Sequence, residues 1–232
     1  MSGFSPLSAS RPYAWPLAGG WDNTDTALLM IDLQRDFLDP EGYFARLGED
    51  TGHGRRVLEP ARRLLAAARR AGLRVIHTRE GHRPDLSDLN DTKRLRAESA
   101  GAAIGSHGPL GRLLVRGEPG WEIIDSVAPE PGEPVVDKCG NGAFYATDLE
   151  QLLRRAGIRN LILCGVTTDV CVSSTLREAN DRGFDCLVLE DVCGAARPEL
   201  HDAVFEGLER EGGIFGAFAN SGALLATLGA AG

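Results

Sequence analysis

The sequence predicts an α/β fold, a doubly wound parallel sheet with helices on both faces in three layers. Three observations predict it. Short apolar runs such as Thr26–Leu33 and Leu161–Cys164 suit strands buried on both faces. These runs alternate with stretches of helical period, the order that builds β-α-β units. The helical stretches stop at Gly72, Gly157 and Gly183, as C-terminal glycines do. A chain of 232 residues is expected to hold one domain, 25–232, behind an N-terminal arm, 1–24. The arm is rich in Ser, Pro and Gly, and Tyr13, Trp15 and Trp21 are its candidate anchors.

In chain order, TALLMIDL (26–33) reads as a central strand whose C-terminal end carries Asp32. Ligand sites in open α/β sheets form at that end of the strands, although a turn-capping aspartate is the alternative. Residues 35–54 read as a loop, with Phe37 either walling a pocket or joining the core. Residues 57–71 read as a helix and 73–78 as the second strand. The nearby His77, Arg79, Glu80 and His82 match no metal-ligand spacing and read as a polar loop network. Residues 91–134 look irregular, a length that points to a binding site or an oligomer interface. Strand 134–138 ends in Lys138. Helix 147–156 carries a capping-box pattern at Thr147 and Glu150. After strand 161–164 and a tight bend, Cys171 stands where helix 172–182 begins. Unpaired N–H groups and the helix dipole there favour a thiolate, whereas a cysteine in the core packs as a small hydrophobe. Strand 184–189, helix 201–210, a stretch 212–215 that leads to a last short strand, and a last helix capped by Asn220 or Ser221 complete the chain.

Net charge of −8 and pI near 5.2 argue against nucleic acid and against an anionic membrane as partners. The five cysteines are an odd number without a CxxC pair, which points to a reducing cytoplasmic setting. No signal peptide and no membrane-length apolar run is evident. There is no GxGxxG after the first strand and no P-loop, so no nucleotide cofactor is expected.

Three strands thus end near a reactive residue: Asp32, Lys138 and Cys171. The combination suits covalent amide hydrolysis. Cys171 attacks a carbonyl, Asp32 moves the proton, and Lys138 lowers the thiol pKa and holds the carboxylate. Backbone N–H groups of Thr167 and Cys171 are candidate oxyanion donors. A non-catalytic binding protein and a thiol redox protein are the competing classes. The first would be expected to lack one of these three residues, and the second lacks a partner at CxxC spacing.

IDLQRDF, the lysine of VVDKCGNGAF, and CGVTTDVCVSSTLREANDRG together resemble the signature blocks of isochorismatase-like cysteine hydrolases. The resemblance covers about residues 24–230. It implies an Asp32–Lys138–Cys171 triad, a cis peptide at Val166–Thr167 that turns the Thr167 N–H into the oxyanion hole, and an oligomer, often a tetramer. PYAWPL, HTREGHRPDL, RGEPGW and GGIFGAFANS look closest to the biuret hydrolase branch. That branch implies ammonia release from a small linear ureide, with Phe37 as a pocket wall. Asn141 stands where the branch has lysine, and Glu211 where it has glutamine. Both are expected at the distal end of the substrate. An acidic Glu211 there favours neutral biuret or triuret over a ureido acid such as ureidoacrylate or N-carbamoylsarcosine. Relatives that bind zinc use an Asp-x-His motif, replaced here by Asp32-Leu33-Gln34, so the resemblance implies no metal.

Overall fold

All six residues of the first strand, β1 (Thr26–Ile31), are buried, which fits a strand covered on both faces. The computed structural model describes residues 3–229. Residues 1–2 and 230–232, the outer ends of the expected arm and domain, lie outside the described residues. The other strands of the main sheet are β2 (Arg74–Glu80), β3 (Val135–Lys138), β4 (Asn160–Val166), β5 (Asp185–Gly194) and β6 (Ala217–Ala219). All six pair in parallel, in the order β3-β2-β1-β4-β5-β6. The chain runs from the centre to one edge, returns, and builds outward to the other. The order reverses between β1 and β4, and a crevice opens beyond the strand ends at such a reversal. Asp32 follows β1 and Cys171 follows β4, so the topology sets both beside that crevice.

Helices α1 (Leu58–Arg70), α2 (Asp91–Ser99), α3 (Leu149–Arg155), α4 (Ser173–Asp181), α5 (Pro198–Glu209) and α6 (Ser221–Gly229) accompany the sheet. In α1 the buried set Ala61, Leu64, Leu65 and Ala68 repeats at helical spacing and forms its core face.

Several local expectations change. The 35–54 loop contains three short helical turns, Arg35–Leu38, Tyr43–Arg46 and Thr51–Arg55. The 91–134 region contains α2, a small hairpin and two 3-10 turns. Helix α2 buries only Ala97, so it has no apolar stripe to reveal it. Its N-terminal signal is Asn90, whose side chain accepts the Lys93 N–H at 2.8 Å. The Thr147–Glu150 capping box does not form. Thr147 donates to the Ala143 carbonyl at 2.6 Å, and Glu150 turns to Arg182 at 3.0 Å. The last strand lies at 217–219, after a turn in which Glu211, Gly212 and Gly213 all take left-handed backbone. Asn220 caps α6 by accepting the Gly222 N–H at 3.1 Å, while Ser221 is held by Asp191.

The arm is structured, and its three aromatics anchor it as expected. Trp15 and Trp21 are buried with ring centroids 5.6 Å apart, and the Tyr13 hydroxyl donates to Asp185 at 2.8 Å. Arg11 pairs with Phe218 of β6, which covers a sheet edge that would otherwise offer unpaired backbone groups. No helix among the described residues is long and apolar enough to cross a membrane.

Candidate active site

Lys138 is fully buried and draws four groups together. Its Nζ lies 2.7 Å from Asp32 Oδ2, 3.0 Å from Glu80 Oε2, 3.0 Å from the Gly140 carbonyl and 3.5 Å from Cys171 Sγ. The Cys171 Sγ also lies 3.3 Å from Glu80 Oε2. Lys93 closes the cluster from outside, with its Nζ 2.7 Å from Glu80 Oε1 and 2.8 Å from the Cys139 carbonyl. A buried lysine is tolerable only with such partners.

The backbone explains the convergence. Glu80 and Lys138 are register partners across β2 and β3. Asp32 has φ +49°, a left-handed conformation that Asp adopts more readily than most residues. Its N–H is 3.2 Å from Thr78 Oγ1, and the Thr78 hydroxyl donates back to Asp32 Oδ1 at 2.6 Å. Gly165 has φ +128°, and a Cβ there would collide with the Ile31 carbonyl, so only glycine lets β4 approach β1 just before the bend. The Val166–Thr167 peptide is cis. A π-helical turn, Thr168–Val172, then carries Cys171 to the cavity floor and leads into α4. The nucleophile candidate therefore sits inside a π turn that precedes the α-helix, and such turns are frequent at functional sites.

Electrostatics revise one expectation. Burial, reinforced by the Asp32 and Glu80 carboxylates, pushes the Cys171 thiol well above its ordinary range, and the opposing Lys138 ammonium does not overcome this. The resting sulfur is a thiol, not the thiolate that a helix terminus alone would favour. Burial also raises Asp32, with Glu80 adding to the effect and Lys138 working against it. For Glu80, burial opposes the charge, but Lys138 and Lys93 outweigh it and hold the carboxyl down at about 2. Burial works against the Lys138 charge as well, yet the Asp32 and Glu80 carboxylates keep it protonated. The pair of carboxylates is thus divided. Glu80 keeps its charge, and Asp32 is the one poised to exchange a proton.

Above the cluster lies a cavity of about 300 Å³. Phe37, Asn141, Thr167 and Cys171 all line it. Phe37 meets Tyr43 and Phe44 edge-on, at 6.3 and 6.0 Å. Glu211 does not line it. It is exposed on the left-handed turn after α5, so it gives this cavity no acidic end. Glu80 was assigned to a polar loop network, and the structure divides that group. His77 pairs with Glu133 at 3.0 Å, Arg79 with Asp137 at 2.9 Å and His82 with Asp88 at 3.2 Å, whereas Glu80 joins the cluster. Its place at the C-terminal end of a strand, shared with Asp32 and Lys138, was the available signal.

The residues do not fit a divalent metal. Donor atoms of Asp32, Glu80 and Cys171 lie within 4.8 Å of one another, but the Lys138 ammonium already contacts all three. Gln34 stands where a zinc ligand would be, and its side chain is spent on backbone. It donates to the Glu80 and Trp121 carbonyls at 2.9 and 2.8 Å and accepts the Glu80 N–H at 2.7 Å.

Comparison with known proteins places this geometry. A family model described as the Isochorismatase domain matches residues 26–219. A ureidoacrylate amidohydrolase from Methylorubrum extorquens is 32% identical over 210 residues, 84% of this chain and 81% of that protein. Among solved structures, a cysteine hydrolase from Pseudomonas syringae pv. phaseolicola aligns with TM-score 0.77 and 25% identity, over 94% of this chain and 97% of that one. The N-carbamoylsarcosine amidase of Thermoplasma acidophilum aligns with TM-score 0.65 and 27% identity, over 85% and 96%. Two of these proteins are named for what they act on, ureidoacrylate and N-carbamoylsarcosine, and the expected nearness to biuret hydrolases gives way to them.

Proposed function

Because the chain belongs to the isochorismatase family and is a hydrolase of amide C–N bonds, we propose that it hydrolyses the ureido group of a small ureido acid and releases ammonia through a covalent Cys171 intermediate. The observation that carries the substrate reading is the charge around the cavity. Arg96 stands exposed at its rim, and its guanidinium has only the Thr92 carbonyl, at 3.3 Å, as a hydrogen-bond partner among the described residues. Glu211, which argued for a neutral biuret or triuret, lies elsewhere. The names of the similar ureidoacrylate amidohydrolase and N-carbamoylsarcosine amidase favour the same reading.

In this mechanism the Cys171 sulfur attacks the ureido carbon while its proton passes to Asp32. The oxyanion develops against the Thr167 and Cys171 N–H groups. Asp32 returns the proton to the departing nitrogen, and ammonia leaves an N-substituted thiocarbamate on Cys171. Water then attacks, Asp32 takes its proton, and the thiol re-forms as the carbamate departs. Lys138 stays charged throughout. It orients Asp32 and stabilises the transient thiolate. The raised thiol pKa makes proton transfer during attack necessary, and the raised Asp32 suits it to both directions of transfer.

The test is ammonia release from ureidoacrylate, N-carbamoylsarcosine, biuret and triuret. Turnover of the two acids above the neutral ureides is expected, with a higher KM for the acids in Arg96→Gln. Turnover of biuret or triuret alone would contradict the assignment.

A further inference from the structure

The cavity is larger and more apolar than the head group of a ureido acid needs. A water in the liquid occupies about 30 Å³, so about 300 Å³ would hold the equivalent of about ten waters. Its polar groups are confined to two places. Cys171, Thr167, Glu80 and Lys93 line the reacting end, and the exposed Arg96 and Asn141 stand at the rim. The remaining zone of the wall is mostly apolar: Phe37 with the rings of Tyr43 and Phe44, and Ala97, Ala100 and Ile104 from α2 and the segment after it. Lys93 is already paired with Glu80, which leaves Arg96 to meet an anion. A substrate as small as ureidoacrylate would leave this middle zone filled with water against carbon, a contact that an apolar group improves.

Building on the ureido-acid reading above, we propose that the preferred substrate is an N-carbamoyl acid with a bulky branched or aromatic side chain. Its ureido carbon sits at Cys171, its side chain lies between the aromatic wall and α2, and its carboxylate faces Arg96. One methylene in a hydrophobic pocket is worth about tenfold or more in discrimination. The preference is therefore expected to be large.

The experiment measures kcat/KM for the N-carbamoyl derivatives of glycine, sarcosine, alanine, leucine and phenylalanine. The wild type is compared with Ala97→Leu and Ala100→Leu. A rise of at least about 100-fold from the glycine to the leucine derivative is expected in the wild type. Either leucine variant, by occupying the middle zone, is expected to reduce that ratio by at least about tenfold. Ala100 is exposed, so its variant supplies the result if Ala97→Leu fails to fold. Values that fall with side-chain size, or a ratio untouched in a folded variant, would overturn the proposal and leave the ureido-acid reading standing. Failure to turn over any of the five, or ureidoacrylate, would overturn both.

Discussion

The cluster at the strand ends and the wall formed by α2 and the segment after it line the same cavity, yet they are built by opposite rules. Asp32, Glu80, Lys138 and Cys171 are at most 5% exposed, and each charge there is held by others. Moving one would leave a buried charge unpaired, so the arrangement is over-determined. The wall is held by the small buried set Ala97, Ala102 and Ile104, by the Asn90 cap and by the single ion pair of Lys93 with Glu80, with Arg96 and Ala100 at the surface. The chemistry is rigid where charge demands it. Apart from Lys93, which pairs with Glu80, the segment that selects the substrate can change without disturbing that charge network.

The largest expected break in this contrast is Lys138→Met. It leaves Asp32 buried without its cation and Glu80 with Lys93 alone, and a loss of about 3–5 kcal/mol is expected in urea unfolding. An unchanged midpoint would show that the cluster is not held by charge. Cys171→Ala is expected to reduce ammonia release to background without a comparable loss of stability, measured by thermal unfolding beside turnover. Glu80→Gln tests the division of labour. Asp32 must be ionised to accept the thiol proton, so kcat/KM falls as pH drops through its pKa. The Glu80 carboxylate helps raise that pKa, and its removal is expected to move the acid limb of the pH profile to lower pH. A limb that stays in place would remove Glu80 from the account.

The smallest expected effect is on stability against pH. Glu80 is held at about 2 in the folded state, below an ordinary value of about 4.3. Its contribution is complete above that ordinary value and is lost as pH falls toward about 2. Asp36, whose carboxylate accepts the backbone N–H groups of Tyr43 and Leu114 in the wall, has the opposite sign. Burial raises it to about 6, so stability declines as pH rises from about 4 to about 6. Denaturant titrations of Glu80→Gln and Asp36→Asn are expected to flatten the lower and the upper window respectively.

The same contrast explains what the amino-acid sequence discloses. Strands buried on both faces read as plain apolar runs, and Asp32, Lys138 and Cys171 stand where those runs end. Glu80 belongs with them by the same rule, but its neighbours His77, Arg79 and His82 disguised it as part of a surface network. Helix α2 was illegible because periodicity reveals only helices with an apolar face, and this one buries a single alanine. Glu211 was misplaced for a related reason. The left-handed run at 211–213 turns the chain away from the cavity, and only Gly212 and Gly213 hinted at it. The state of Cys171 depended on burial, which no local pattern reports.

The central claim is that Cys171 carries the substrate's carbonyl carbon during turnover, with Asp32 moving the protons. Intact-protein mass spectrometry after rapid acid quench, on wild type and Asp32→Asn supplied with an N-carbamoyl acid, tests it most directly. The account predicts a wild-type adduct equal to the substrate less one ammonia, on the peptide that contains Cys171, and little or none in Asp32→Asn. Steady ammonia release with no adduct at any quench time, and equal release from Cys171→Ala, would contradict it.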